Sequence, residues 1–177
     1  YIREVSAICM VLRCFPHGDI IHVEGNVDAL RDMEIVETEL VLKDLETVEK
    51  RLGSLSRDVR SGSKEAKQEE EVLKEAYAFL DSGKPLILHP SLIRARARQS
   101  HSEGGNKGCN ELDVLRTLNL LTMKPQVFLL NGKEEDVSDE LRGKIEEMGG
   151  GYVVVDLDNV LEVPELITKA YEVLGLV

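Results

Sequence analysis

The sequence predicts an α/β fold: a parallel sheet with flanking helices, interrupted by an antiparallel α-helical hairpin. Three observations predict it. From residue 110 onward, short apolar runs alternate with amphipathic helical patterns, the β-α-β-α order of a parallel sheet covered by helices. Between residues 29 and 83 the period is helical throughout, in two segments parted by Ser61-Gly62-Ser63. Ahead of that hairpin, residues 5–14 read "VSAICMVLRC", a run long and apolar enough for a strand.

In chain order, residues 5–14 suit a strand buried on both faces of a parallel sheet, or a buried helical segment of the same length. Residues 16–28 read as a loop punctuated by Pro16, Gly18 and Gly25. Asn26 or Asp28 is placed to cap the helix that follows. In it Val41, Leu45, Val48, Leu52, Leu55 and Val59 advance by alternating steps of four and three, a heptad seam that requires a partner helix. A second helix supplies it, with Ala66, Leu73, Ala76 and Leu80 on one stripe, and stops at Ser82-Gly83 before Pro85. The other faces of this pair hold 9 Lys/Arg and 14 Asp/Glu over residues 29–83, the composition of a solvated surface or of a projecting docking arm.

Residues 84–109 read as an irregular linker. They contain Arg94, Arg96 and Arg98, the one basic cluster, which suits either a solvated loop or contact with RNA phosphates. The nearby "GGNKG" lacks the G-x-x-x-x-G-K-[ST] spacing and follows no strand, so it is not a phosphate loop. A helix is expected from Glu111 to Leu121, with Leu112, Leu115 and Leu118 or Leu120 inward. Pro125 opens a strand over residues 127–130. Residues 136–148 form a helix capped by Asp136 or Ser138 and ended by Gly149-Gly150-Gly151. Residues 152–155 form a strand, and Pro164 starts a last helix running to Leu174.

Composition narrows the function. The 177 residues hold 42% hydrophobic and 31% charged side chains, enough for a packed core. A net charge of -11 argues against a general nucleic-acid surface, and no DNA partner is expected. No apolar run reaches the roughly 20 residues that span a bilayer. Three cysteines without a metal-type partner set fit a reduced, cytoplasmic protein. His17, His22, His89 and His101 have no metal spacing, and no Ser-His-Asp set can be assigned.

The candidate site is "QVFLLNGKEED", residues 126–136. A parallel strand delivers Asn131, Gly132, Lys133 and Glu134 to the carboxyl edge of the sheet, where open α/β sheets bind ligands. Asn131 can offer its amide to a base or brace a neighbouring loop. Gly132 leaves its backbone open to a flat ring. Glu134 can accept hydrogen bonds from a ring N–H, an exocyclic amine or a ribose. A plain Asn-Gly turn satisfies the same letters. Asp156 and Asp158 follow the last strand to the same edge, or cap a helix.

Residues 13–52, "RCFPHGDIIHVEGNVDALRDMEIVETELVLKDLETVEKRL", closely resemble the YchF subfamily of Obg-related P-loop NTPases, the Obg-like ATPases. Residues 118–134, "LNLLTMKPQVFLLNGKE", and residues 165–176, "ELITKAYEVLGL", resemble the same family further along its nucleotide-binding domain. The resemblance implies a partial Ras-like P-loop NTPase domain, in residues 1–28 and 110–177, around a coiled-coil-like insertion, residues 29–83. It implies that Asn131-Gly132-Lys133-Glu134 stands for the base-recognition motif, Asn-x-x-Glu in this subfamily, with Asn131 and Glu134 flanking the base and Gly132 close to adenine. The cofactor it implies is ATP or GTP with Mg²⁺, and the partner is the ribosome. The family's phosphate loop, Mg²⁺-binding Ser/Thr and DxxG switch lie upstream of the first matched strand, and its TGS domain begins beyond Leu176. None lies in these residues, and both ends read as cut from something longer. Residues 152–158 differ from the Ser-Ala-type loop that the family sets against the base. The chain is therefore expected to be a piece of a nucleotide hydrolase that is inactive alone. A non-catalytic hairpin that docks on a ribosome or protein is the rival expectation.

Overall fold

Strand β1 (Ile8–Arg13), β2 (Gln126–Asn131) and β3 (Gly151–Val155) form a parallel sheet in the order β1-β2-β3. The computed structural model describes residues 2–15, 27–93 and 111–157, with 167–168 and 171–172. The helices are α1 (Ala29–Arg60), α2 (Lys64–Asp81), α3 (Glu111–Thr117) and α4 (Asp139–Glu147). Asn26, the basic Arg94, Arg96 and Arg98, "GGNKG", His17, His22, His101, Asp158 and the start at Pro164 lie outside the described residues.

The chain divides into two compact units, Tyr1–Glu4 with Glu37–Met123 and Val5–Val36 with Lys124–Val177. The first is helical. Val41, Val48 and Leu55 of α1 share a core with Ala66, Leu73, Ala76 and Leu80 of α2, and Leu45, Leu52 and Val59 pack against it half-buried. This is the heptad seam with its partner stripe. Gly62, at φ +92°, turns the chain between the helices, and the Ser63 hydroxyl caps α2 by accepting from the Ala66 N–H at 3.1 Å. Arg51 forks across the pair onto Glu69 at 2.6 and 3.0 Å.

Two expectations change in this unit. Residues 84–93 are not irregular: Leu86–Leu88 form a 3-10 turn, residues 90–93 are helical, and Leu86 and Leu92 are buried in the core. Two large apolar side chains just past Pro85 are enough to dock the segment. Nor are the charges of α1 all solvated. Asp44 has 0% exposure and accepts from the Leu121 N–H at 2.9 Å, the Thr122 N–H at 2.7 Å and the Thr122 hydroxyl at 2.8 Å. Arg3 reaches the same carboxylate at 3.3 Å. The helix expected to run to Leu121 stops at Thr117 because Asn119 takes φ +50°, after which Leu121–Met123 form a 3-10 turn over Asp44.

The second unit is the sheet with its helices. Met10, Leu12 and Cys14 join Phe128 and Leu130 on one face, where Leu141 and Ile145 of α4, Met148 and Met33 of α1 complete a core. Asp28 caps α1, its carboxylate accepting from the Arg31 N–H at 3.1 Å. β1 is not buried on both faces. Its residues alternate, with Cys9 and Val11 exposed and Val11 at 58%, because β1 is an edge strand of the described sheet. α4 starts at Asp139, three residues later than expected, with Ser138 as its cap accepting from the Leu141 N–H at 3.2 Å. Gly150 must be glycine: a Cβ there would stand 2.6 Å from the Phe128 ring.

Candidate functional site

Arg13, Asn131 and Val155 are in register, so the loops leaving all three strands gather at one carboxyl edge. β2 is buried from Gln126 to Leu130 and releases Asn131, half-buried, at the rim. Backbone bonds hold the loops together there. The Cys14 N–H donates to the Asn131 carbonyl at 2.8 Å, and the Gly132 N–H donates to the Val155 carbonyl at 3.1 Å. The Asn131 side chain adds a third link, its Oδ1 accepting from the Leu157 N–H at 3.2 Å. That bond fixes the amide orientation and points to Nδ2 as the donor left for a ligand.

Gly132 has φ +156°, and a Cβ there would meet the Cys14 Cβ at 3.2 Å and the Asp136 carboxylate at 3.4 Å. The site therefore presents bare backbone between two packed loops. The turn closes on itself: the Lys133 N–H donates to Asp136 Oδ2 at 2.9 Å, and the Asp136 N–H donates to the Lys133 carbonyl at 3.0 Å. Glu134, at the head of the 3-10 turn Glu134–Asp136, has a side chain 74% exposed. One carboxylate oxygen, Oε2, is paired with Arg142 Nη2, which also donates to the Glu134 carbonyl at 3.2 Å. The Arg142 guanidinium in turn lies 5.5 Å from the centre of the Tyr152 ring, with Nη1 3.3 Å from its hydroxyl. Tyr152 and then Glu134 raise the Arg142 pKa above its usual value.

Beneath the loop, burial and then Asp136 push the Cys14 thiol up to about 11, against a smaller opposing pull from Arg142. A thiol held neutral is a packing residue rather than a nucleophile. Arg13 Nε is buried without a hydrogen-bond partner, its guanidinium 5.7 Å from the Phe15 ring centre. Among the described residues no three His, Cys, Asp or Glu side chains gather to hold a metal ion. His89 lies in the helical unit, its Nδ1 2.8 Å from the Ser91 hydroxyl and its Nε2 3.5 Å from Glu75, edge-on to Phe79.

Asn131, Gly132 and Glu134 thus stand together at the carboxyl edge, with Asp156 and Leu157 beside them as the chain leaves β3. Sequence reasoning missed Arg142 and Tyr152. Their signal is weak: Arg142 falls on the first turn and a half of a helix that starts just after the loop, a reach only the fold makes short.

No profile of a known protein family matches the chain. Individual relatives do. The ribosome-binding ATPase YchF of Haemophilus ducreyi is 32% identical over 170 residues, 93% of this chain and 42% of that protein. The protein of the same name from Bacillus subtilis is 35% identical over 155 residues, 85% of this chain and 38% of its own. Obg-like ATPase 1 of Schizosaccharomyces pombe is 34% identical over 141 residues, 77% of this chain and 32% of its own. The chain is a homologue of the YchF/Obg-like ATPases. It spans between about a third and two fifths of the length of these relatives. A solved structure of the Schizosaccharomyces pombe YchF GTPase covers 97% of this chain with a TM-score of 0.62 at 24% identity, the match covering 51% of that chain. The α/β fold is therefore shared with part of that YchF GTPase.

Proposed function

We propose that this chain supplies the base-reading edge of a YchF-type nucleotide site, in a protein that binds ATP or GTP and hydrolyses it in association with the ribosome. The observation that supports it is the loop of residues 131–134, set at the carboxyl edge of a parallel sheet and latched on both sides by backbone bonds. The Asn131 amide donates to a ring nitrogen of the base. The Gly132 backbone lies against the flat ring. The Glu134 carboxylate accepts from an exocyclic amine or ring N–H. The hairpin of α1 and α2, residues 29–83, is the arm inserted into this domain. The relatives named ribosome-binding ATPases support the ribosome as partner.

The metal of the reaction, Mg²⁺, stabilises charge on the phosphates when bound. This chain's part is to bind and orient the base. Its 177 residues hold no G-x-x-x-x-G-K-[ST] run, and negligible triphosphate hydrolysis is expected of this chain by itself. Titration of the ¹⁵N-labelled chain with adenosine tests the base site. The expected result is a saturable shift of the Gly132 and Leu157 amides, absent in Asn131→Ala. Unmoved amides at both positions would sink the proposal.

A further inference from the structure

The carboxylate that faces the base is not a free pair of acceptors. Arg142 occupies Oε2 of Glu134, and Arg142 is itself held at three points: the Glu134 carbonyl, the Tyr152 hydroxyl and the Tyr152 ring face. Ser138 caps α4 four residues earlier, which fixes the helix that carries Arg142 against the loop that carries Glu134. A planar guanidinium anchored in this way presents a fixed fork, unlike a lysine ammonium.

We propose that Arg142 determines which purine this edge accepts, by holding one oxygen of Glu134 so that a single acceptor faces the base. The inference rests on the base-binding reading above. Guanine presents two donors side by side, the N1–H and the N2 amine, and a carboxylate clamps them with both oxygens. Adenine presents one amine, at N6, next to an acceptor nitrogen, and one free oxygen satisfies it. With Oε2 already accepting from Arg142, Glu134 Oε1 serves adenine fully, while the second donor of guanine must share Oε2 with the guanidinium. Both Nη2 hydrogens of Arg142 go to Glu134 and one Nη1 hydrogen goes to the Tyr152 hydroxyl. Asn131 does not discriminate, because both purines offer a ring nitrogen acceptor. Arg142 is thus a positioning residue that acts through Glu134.

The test compares dissociation constants of adenosine and guanosine, read from the Gly132 and Leu157 amide shifts, for the unmodified chain, Arg142→Met, Arg142→Lys and Tyr152→Phe. The pair is partly exposed, so Arg142→Met is expected to move the adenosine-to-guanosine preference about two- to fivefold toward guanosine. Tyr152→Phe, which keeps the ring and removes the hydroxyl anchor, moves it in the same direction by less. Arg142→Lys, which restores a cation for Oε2, returns it toward the unmodified value. A preference unchanged or moved toward adenosine in both Arg142→Met and Tyr152→Phe, with adenosine still shifting the two amides, would overturn the role of Arg142 and leave the base site standing. Adenosine that shifts neither amide in the unmodified chain overturns the base site and this inference together.

Discussion

Replacing Asp44 by alanine is expected to unfold the helical unit at markedly lower temperature. The carboxylate is completely buried and is the acceptor for two backbone N–H groups, of Leu121 and Thr122, and for the Thr122 hydroxyl. Alanine leaves both N–H groups without a partner, at about 1–3 kcal/mol each. The Thr122 hydroxyl, buried beside them, loses its acceptor as well. Arg3, a third exposed, keeps its bonds to the Lys43 carbonyl and the Thr47 hydroxyl, so its share is small. The total is about 3–5 kcal/mol, in line with removing one partner of a buried charged network. For a chain of this size that lowers the melting temperature by about 10 °C. Asp44→Asn keeps the shape and one acceptor oxygen, but turns an NH₂ toward an N–H donor, and is expected to lose about half as much. Denaturant melts of the three proteins, with hydrogen exchange at the Leu121 and Thr122 amides, measure it. A loss below about 1 kcal/mol for alanine, or unchanged exchange at both amides, would refute the reasoning.

Gly132→Ala brings a Cβ to 3.2 Å from that of Cys14 in a backbone conformation that suits glycine, so it is expected to destabilise by about 1–3 kcal/mol and to weaken adenosine binding, both measurable by melting and titration. Ser138→Ala removes the cap of α4 and should cost about 1 kcal/mol in a urea melt. Cys14 is expected to react with iodoacetamide slowly near neutral pH and faster as pH approaches about 11, its thiol being pushed up to about 11 mainly by burial. The sign for stability follows. A pKa raised from 9.0 means the contribution is complete below pH 9 and is lost as pH rises toward about 11, so melts should fall across that window.

The hairpin was legible because its seam repeats: the step of Val41, Leu45, Val48 and onward leaves one packing solution, and α2 supplies the matching stripe. β2 was legible because four apolar residues in a row, Val127 to Leu130, between Pro125 and Asn-Gly have little else to be. The position of β1 in the sheet was not. An apolar run says that a strand can be buried and not how many neighbours it has, and Val11 shows the difference. Asp44 hid for another reason. It stands three residues after Val41 and four before Val48, on the buried stripe itself, but in a helix with so many carboxylates one more reads as solvated. An acid in register with a core seam is the signal to look for. The candidate residues Asn131, Gly132 and Glu134 were visible as a motif, whereas their partners Arg142 and Leu157 depend on how α4 and β3 return to the same edge.

The parallel pairing of β1 with β2 has a kinetic side. Ile8 lies beside Gln126, so everything between the two strands, including the whole of α1 and α2, must be closed as one loop before the sheet can form. Such a closure costs entropy that grows with loop length and is repaid only at the end. The hairpin changes the arithmetic. It closes through a turn of three residues, collects its own core, and removes most of the freedom of the segment before β1 and β2 meet. A fast local element nested within a slow non-local one favours one order of folding: the hairpin first, the β1–β2 pairing last.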